Sequence, residues 1–250
     1  METKHSYGLI PQKPDQRDFM FAPKAKYVFP PSIDMRPKCP PVYDQGQLGS
    51  CTANGGGFAY EYAREKQGLK DFMPSRLFIY YNERKLEHTI NSDSGASVRD
   101  CFKAMNKYGV CPETDWPYDI SKFTDKPSKQ CYDEAKKDLA LKYKSLRPTM
   151  DDLKSCLFEG FPIPIGIAIY ESFETDEVAK TGIVPIPKQD ETLLGFHCTA
   201  VVGYDDSENS WIVRNSWGKD WGIKGYFLLP FRYLLDRNLS SDFWQLSLVS

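Results

Sequence analysis

The sequence lacks a long hydrophobic run. Its longest apolar stretch, residues 163–170, is interrupted by Pro164 and Gly166 and falls well short of the roughly 18 apolar residues of a membrane helix. The first twenty residues are polar and contain no apolar leader of the kind that directs secretion. These absences favour a soluble protein, cytoplasmic or particle-associated rather than classically secreted, and predict no membrane partner.

The sequence also lacks an excess of either charge. Its 250 residues contain 32 Lys and Arg against 34 Asp and Glu, which gives a net charge of -2. A sequence pI near 6.0 without a basic run argues against nucleic acid as a partner. Hydrophobic residues make up 41% of the chain, enough for a sizeable core, and the length fits one large domain or two compact halves. A monomer is expected.

Cysteines are present in an odd number and without any close C-x-x-C pair. An odd count leaves at least one thiol free if every disulfide is internal. Without a secretory leader, mostly reduced thiols are expected. A structural zinc site built from the third, fourth and fifth cysteines is a weak alternative, so no metal and no cofactor is predicted. The seven are Cys39, Cys51, Cys101, Cys111, Cys131, Cys156 and Cys198.

The pattern along the chain predicts an arm followed by two unlike halves. Residues 1–32 are rich in proline, which favours extended structure, and are interpreted as a surface arm anchored by Phe19 and Phe21. Residues 33–250 form the folded body. Its part from about 45 to 135 shows helical periodicity, and its part from about 136 to 235 contains short runs of branched and aromatic residues typical of antiparallel strands. The expected fold is α+β, with two lobes and a cleft between them.

The segment from Gln45 to Ala53 contains the first candidate catalytic residue. Cys51 stands where a predicted helix begins, and a helix N-terminus lowers the pKa of a thiol toward the nucleophilic thiolate. Gly49 leaves room beside it for a substrate backbone. Three glycines at positions 55–57 inside this helix indicate that another backbone passes close by.

The chain contains only three histidines. His5 lies in the arm and His88 follows a charged helix, so both are expected to be solvated. His197 lies instead in Gly-Phe-His-Cys-Thr-Ala, ahead of a strand. Downstream, Trp-Ile-Val-Arg-Asn-Ser-Trp-Gly contains Asn215, whose side-chain oxygen can accept from one imidazole nitrogen and leave the other for the thiol. Trp217 is expected to shield that bond from water.

These segments resemble the catalytic blocks of the papain and cathepsin family of cysteine peptidases. They occur in the family's order, and His197 follows Cys51 by about 150 residues, close to the roughly 130–150 typical of that family. The resemblance covers about residues 30–230 and implies a papain-like two-lobe fold whose second lobe is an antiparallel β-barrel. It implies that Cys51 is the nucleophile, that His197 is its base, that Asn215 orients the histidine and that Gln45 contributes to the oxyanion hole.

The same resemblance implies a set of substrate-binding residues. A glycine-bearing strand of the family pairs with the substrate backbone, and a tryptophan lines the primed side of the cleft. Peptides or proteins are the implied substrates, and a thiolate–imidazolium pair is the implied resting state. The residues implicated are Gly49, Ser94, Gly95, Ala96, Phe196, Trp217 and Trp221.

Some features depart from the secreted members of the family. Leu48 replaces the cysteine that many members have three residues before the nucleophile, and Thr52 replaces the usual tryptophan after it. The arm is too short for the long pro-segment of lysosomal cathepsins and is more like that of microbial or viral relatives. It is expected to act either as a brief inhibitory segment of a zymogen or as a structural strap. No paired histidines mark a carboxy-dipeptidase loop, so endopeptidase action is expected.

Two other functions remain open from sequence. A catalytically silent papain-like protein would use the cleft to bind peptides or play a structural part, but it would be expected to have lost a catalytic residue. An acyl-transfer enzyme such as a transglutaminase also uses a cysteine and a histidine, but usually completes the triad with aspartate rather than with Asn215.

Overall fold

The computed structural model describes residues 4–250, so the first three residues of the predicted arm lie outside the described part of the chain. Several helices begin at a side-chain cap: Ser75 accepts a hydrogen bond from the Phe78 amide, and Ser97 accepts one from the Asp100 amide. The helix predicted to begin at Cys51 forms, and the part of the chain predicted to be helical, about residues 45–135, contains the first four α-helices. The α-helices are α1 Cys51–Lys66, α2 Arg76–Glu87, α3 Val98–Tyr108, α4 Lys129–Ala135, α5 Met150–Phe158, α6 Asp176–Thr181 and α7 Phe231–Leu235.

Helix α1 is the central helix of the molecule. It is buried from Cys51 to Arg64 and packs against α2 and α3 as well as against the strands β4 and β8 defined below. The expectation that a backbone passes over its glycines is wrong. A side chain at Gly55 would meet the sulfur of Cys198 at 2.9 Å, and one at Gly56 would overlap the sulfur of Cys101. Gly55 and Gly56 therefore make room for two buried thiols.

The second half of the chain forms an antiparallel sheet with the order β6-β5-β4-β3-β7, and β1 pairs with the far end of β4. The hydrogen-bonded series does not close on itself within residues 4–250, so the predicted barrel is an open sheet. The register pairs Ile167 with His197 and Ala200 with Arg214. The strands are β1 Ser32–Asp34, β3 Ile163–Tyr170, β4 Leu193–Asp205, β5 Ser210–Arg214, β6 Tyr226–Pro230 and β7 Ser240–Ser241.

A separate two-stranded sheet joins β2, Ala140–Ser145, to β8, Trp244–Val249. Ala140, Trp244 and Leu246 pack with the apolar side chains of the helical half rather than with the larger sheet. This differs from the predicted division at residue 136, which assigned β2 to the β lobe. The chain's last strand returns to the helical half, so the first lobe is built from both ends of the body.

The N-terminal arm lies along the body and is anchored through one of the two predicted aromatic residues. Phe21 is 4% exposed within the core of the larger sheet, whereas Phe19 is 77% exposed. Both residues bond through their backbone to Ser145 of β2. The prediction is therefore wrong for Phe19, which lies on the open side of β2 beside Leu141 and Tyr143.

Two further observations concern the cysteines and the helices of the described residues. None of the seven cysteines is joined to another in residues 4–250. No helix in this part of the chain is both long enough and apolar enough to cross a membrane.

Candidate active site

Cys51 is the first residue of α1 and is fully buried. The first turn of this helix contains no acidic residue, and the backbone amides of Cys198 and Gly8 act to lower the pKa of the Cys51 thiol. Burial nevertheless raises the pKa of the thiol to about 12, because a thiolate without water is costly and these two donors offset only part of that cost. In this arrangement the thiol is neutral.

His197 lies on β4 and Asn215 directly follows β5, so neighbouring strands bring the two side chains together. His197 Nε2 lies 2.9 Å from Asn215 Oδ1, which also accepts the Ser216 amide at 2.9 Å. Since an amide oxygen can only accept, Nε2 carries the proton. His197 Nδ1 has no hydrogen-bond partner among residues 4–250. Trp217 stacks on the imidazole with ring centroids 4.9 Å apart, as predicted for a shield.

The electrostatic environment of His197 keeps the ring neutral. Its pKa is lowered to about 4, chiefly because the ring is buried, while the bond to Asn215 acts in the opposite direction. The thiolate–imidazolium pair that the resemblance implies is therefore disfavoured here at both partners. Both shifts have the same physical cause, exclusion of water from the cleft.

Gln45 is buried and held on both sides of its carboxamide. Its Oε1 accepts from Ser216 Oγ at 2.6 Å, and its Nε2 donates to the carbonyls of Leu48 at 2.9 Å and Ser6 at 3.1 Å. The Ser6 carbonyl belongs to the arm. Gln45 Nε2, the donor predicted to bind a substrate oxyanion, thus donates to a carbonyl of the arm.

The arm continues through the cleft as an extended strand. Leu9 pairs in parallel with Ala96: the Ala96 amide donates to the Gly8 carbonyl at 2.8 Å, and the Ile10 amide donates to the Ala96 carbonyl at 2.9 Å. On the other side the Leu9 amide donates to the Phe196 carbonyl at 3.1 Å. The Leu9 side chain is 6% exposed and lies against Gly166 of β3.

Glycine is required where the arm and the cleft approach most closely. A side chain at Gly8 would overlap the Gly49 carbonyl, and a side chain at Gly95, whose φ is +71°, would overlap the Gly8 carbonyl. The Gly49 amide is in turn held by Asp93 at 3.0 Å. Of the predicted substrate-binding residues, Gly49, Gly95, Ala96 and Phe196 therefore meet the arm. Ser94 does not, because its hydroxyl bonds to Thr89 and to the Gly95 carbonyl.

The beginning of the arm covers the other end of the cleft. His5 stacks on Trp217 with centroids 3.8 Å apart and bonds to Glu174, which also accepts from the Tyr7 hydroxyl. The prediction that His5 is solvated is wrong, whereas His88 is exposed at the end of α2 as expected. The ring centroids of Trp221 and Trp217 are 5.1 Å apart, and Trp221 is 8% exposed.

Sequence reasoning missed the residues that hold the arm. Leu9, Asp93 and Glu174 become neighbours of the site only through the path of the arm, and no spacing in the sequence signals that path. Ser216 directly follows Asn215, so the motif itself offered a signal for it. Among residues 4–250, no group of three or more His, Cys, Asp and Glu side chains is arranged to hold a metal ion.

Comparison with known proteins assigns this arrangement to a family. The model described as papain family cysteine protease matches residues 29–233. An uncharacterized peptidase C1-like protein of Acanthamoeba polyphaga mimivirus is 44% identical over 96% of this chain and 86% of its own. Cysteine proteinase 3 of Entamoeba histolytica is 30% identical over 80% of this chain, which spans only 62% of that relative's length.

Solved structures agree with this assignment. Xylellain, a cysteine protease from Xylella fastidiosa, matches with a TM-score of 0.92 and 39% identity, covering 100% of this chain and 99% of its own. Digestive procathepsin L 3 from Tenebrio molitor matches with a TM-score of 0.72 over 93% of this chain and 75% of its own, and at 22% identity it supports the fold alone. Motif order, two-lobe fold and family match agree, and the chain belongs to the papain family of cysteine proteases.

Proposed function

We propose that the protein is a thiol-dependent endopeptidase that uses Cys51, His197, Asn215 and Gln45, and that its N-terminal arm holds it inactive as a zymogen. The first part is supported by the 2.9 Å bond from His197 Nε2 to Asn215 and by a thiol at the start of α1, whose pKa is influenced by the backbone of Cys198, the residue after His197. The observation that carries the second is the arm strand in the cleft, with Gly8 against the thiol and Ser6 on Gln45.

The proposed reaction proceeds through an acyl-enzyme. With the cleft open, the Cys51 proton moves to His197 Nδ1, and the thiolate attacks the scissile carbonyl to form a carbon–sulfur bond. Gln45 Nε2 and the Cys51 amide stabilise the oxyanion. The carbon–nitrogen bond then breaks, and the leaving amine takes the proton from His197. Water, deprotonated by His197, then attacks the thioester carbonyl to form a carbon–oxygen bond. The carbon–sulfur bond breaks, the carboxylic acid product leaves, and the proton returns from His197 to the sulfur of Cys51.

The arm opposes this reaction in two ways. It fills the positions at Gln45 and Ala96 that a substrate backbone would use, and it excludes water from the thiol and the imidazole. The second effect raises the pKa of Cys51 and lowers that of His197, so the arm keeps both groups neutral. Displacing the arm is therefore expected to create the reactive ion pair and to open the subsites together.

The substitution Gly8→Ala tests the proposal in the full chain. Its added Cβ would overlap backbone atoms of Gly49, which cannot move aside easily, so the arm is expected to leave the cleft. Turnover of a general fluorogenic peptide and alkylation of Cys51 by iodoacetamide should both rise at least about tenfold, the effect of about 1.4 kcal/mol. Ala25→Val, at an exposed arm position outside the cleft, is the matched control and should change neither rate.

The outcomes separate the two parts of the proposal. Cys51→Ala in the Gly8→Ala background should abolish turnover, and turnover that survived would exclude Cys51 as the nucleophile. Faster alkylation without any turnover would support a catalytically silent relative. A full chain already as active as the Gly8→Ala variant would show that the arm is a strap and not an inhibitor.

A further inference from the structure

A glutamate lies at the end of the cleft that the beginning of the arm covers. Glu174 ends a short 3₁₀-helix, Glu171–Glu174, which directly follows β3. Phe173 in the same helix is 1% exposed, and its ring centroid lies 5.8 Å from that of Trp217. Because Trp217 in turn stacks on His197, this packing holds the backbone of Glu174 in a fixed place next to the site.

The arm supplies every hydrogen-bond partner of the Glu174 side chain within residues 4–250. The carboxylate accepts from His5 Nδ1 at 3.2 Å and from the Tyr7 hydroxyl. With these two donors in place, the side chain is 10% exposed. When the arm leaves, the carboxylate loses both donors and faces the open cleft. A carboxylate can only accept hydrogen bonds, and it binds the cationic donors of lysine and arginine more strongly than neutral ones.

The contacts of the arm follow the cleft from one side of the nucleophile to the other. Leu9 pairs with Ala96. The next residue toward the N-terminus, Gly8, lies at Cys51, because its backbone amide acts on the pKa of that thiol. Tyr7 comes after Gly8 in this direction, so Leu9 and Tyr7 lie on opposite sides of the nucleophile.

The side of the cleft that Tyr7 occupies is the side of the leaving amine. The Tyr7 ring packs edge-on against His197 with centroids 6.2 Å apart, and His197 is the proposed donor of a proton to that amine. The family resemblance likewise places a tryptophan on the primed side, and Tyr7 lies beside Trp217. Since Tyr7 also donates to Glu174, the first residues of a leaving peptide would come within reach of this carboxylate.

We infer that Glu174 is a specificity-determining residue, which binds a lysine or arginine side chain within the first two residues of the leaving peptide. Such a side chain would replace the donors that the arm withdraws. The arm itself brings basic residues to this place, since Lys4 bonds to Asp176 and His5 to Glu174. Asp176 is 97% exposed, so water and salt screen its charge and it contributes little. The inference deepens the proposed function, because its effect on cleavage rests on that function.

The first test compares cleavage sites in the Gly8→Ala background. A library of synthetic peptides is digested, and mass spectrometry identifies the residues on the leaving side of each cleaved bond. Sites with lysine or arginine at one of the first two positions should be cleaved about 5-fold faster than otherwise equal sites with glutamine. This is the size expected of one charge-assisted hydrogen bond at a partly exposed position.

Variants of the two acidic residues show whether Glu174 sets this preference. Glu174→Gln should reduce the ratio of the two rates to about one, and Glu174→Lys should reverse the preference toward acidic side chains. Asp176→Asn is the matched control, since it removes an acidic side chain two residues away, and it should keep the ratio. An equal loss of the ratio in Asp176→Asn and Glu174→Gln would overturn the inference, because the charge of the whole segment would then set the preference.

The second test reads the same contact in the full chain without using turnover. Tyr7 is replaced by lysine or by glutamine, and the rate of Cys51 alkylation by iodoacetamide reports how often the arm leaves the cleft. Both replacements lose the tyrosine ring, so its other contacts cancel. Tyr7→Lys should be alkylated about 5-fold more slowly than Tyr7→Gln, because its ammonium group can bind Glu174. In a Glu174→Gln background the two rates should be equal, as a double-mutant cycle requires of a direct contact.

The outcomes separate this inference from the proposed function. Turnover without a preference for basic residues would overturn the inference and leave the endopeptidase in place. Equal alkylation of Tyr7→Lys and Tyr7→Gln in the chain that retains Glu174 would also overturn it. If no variant shows turnover while the alkylation rates differ as expected, the proposed endopeptidase fails, and Glu174 stands as the residue of the cleft that binds a cation.

Discussion

Ser216 is the residue that fixes the orientation of Gln45. Its hydroxyl donates to Gln45 Oε1 at 2.6 Å, and its backbone carbonyl accepts a hydrogen bond from the backbone N–H of Gln45 at 2.9 Å. With the oxygen of the carboxamide held in this way, the nitrogen must point toward the cleft, where it now meets Ser6. The proposed oxyanion donor is thus preorganised by a neighbour of Asn215.

We predict that Ser216→Ala, made in the Gly8→Ala background, lowers kcat/KM about 5–10-fold. The carboxamide loses one hydrogen bond, and a single bond of this kind is worth about 1 kcal/mol. Most of the loss should fall on kcat, because the donor acts on the oxyanion of the transition state. Steady-state kinetics on a peptide substrate measure the split. Ser207→Ala, at an exposed turn far from the cleft, should match the parent, and an equal loss in both variants would remove Ser216 from the mechanism.

At the scale of elements, the arm consists of two segments held by different forces. The segment that fills the cleft, up to Ile10, is held by backbone hydrogen bonds, by Leu9, and by the side-chain bonds of His5 and Tyr7 to Glu174. The segment after it is held by a bidentate ion pair between Asp18 and Arg99, with a shortest N···O distance of 2.6 Å, and by Phe21 in the core. Under the proposed function, inhibitor and strap, which the sequence left as alternatives, are the roles of consecutive segments of one arm.

Phe21 and Phe19 form a matched pair for testing the strap. We predict that Phe21→Ala lowers the free energy of unfolding by about 3 kcal/mol, because it leaves a cavity in the sheet core. Phe19→Ala should change it by no more than about 0.5 kcal/mol, since that ring is 77% exposed. Urea denaturation measures both. Similar losses for the two variants would mean that the arm does not stabilise the body through Phe21.

The helices and strands were accessible from sequence because each has a local signal. Helical periodicity predicts α2 and α3, and branched residues between turns predict β3 to β6. The path of the arm has no such signal, since proline-rich extended chain carries no periodicity and its partners, such as Ala96, are distant in sequence. Strand β8 was also not predicted from the sequence. Its partner β2 lies about a hundred residues earlier in the chain.

The candidate site also has features that the sequence predicts and one that it does not. Cys51, His197, Asn215 and Gln45 are marked by motif order, and the structure places the last three in one hydrogen-bonded group through Ser216. What the sequence could not supply is the protonation state of the pair, because this depends on how deeply both groups are buried in the folded chain. A motif specifies which groups meet, but the solvent around them is a property of the assembled molecule.

At the scale of the whole molecule, the interior contains carboxyl groups as well as thiols. Glu61 of α1 is bonded by the Tyr43 hydroxyl, and Glu83 of α2 accepts from Thr52 Oγ1 at 2.8 Å. Burial raises the pKa of each to about 8 from 4.5. The second oxygen of Glu83 has no partner in the described part of the chain, and burial outweighs the charge of Arg84, which acts on the pKa of Glu83 in the opposite direction.

These carboxyls give the stability of the protein a definite pH dependence. Their pKa is higher in the folded than in the unfolded state, so between about pH 5 and 7 the folded chain keeps a proton that the unfolded chain has lost. Stability is then greatest on the acid side and falls as pH rises, by about 1.4 kcal/mol per pH unit for each such group. Glu83→Gln, which is neutral at every pH and can still accept from Thr52, should remove one of these contributions.

We therefore predict that the free energy of unfolding of Glu83→Gln falls less steeply with pH than that of the parent, by about 1.4 kcal/mol per unit between pH 5 and 7. Urea denaturation at several pH values measures the two slopes. Glu208→Gln, at an exposed turn, should keep the parent's slope and controls for the loss of one carboxyl. Parallel lines for Glu83→Gln and the parent would mean that Glu83 is ionised in the folded protein. A negative charge would then lie beside the start of α1, where it would disfavour the thiolate that the proposed mechanism requires of Cys51.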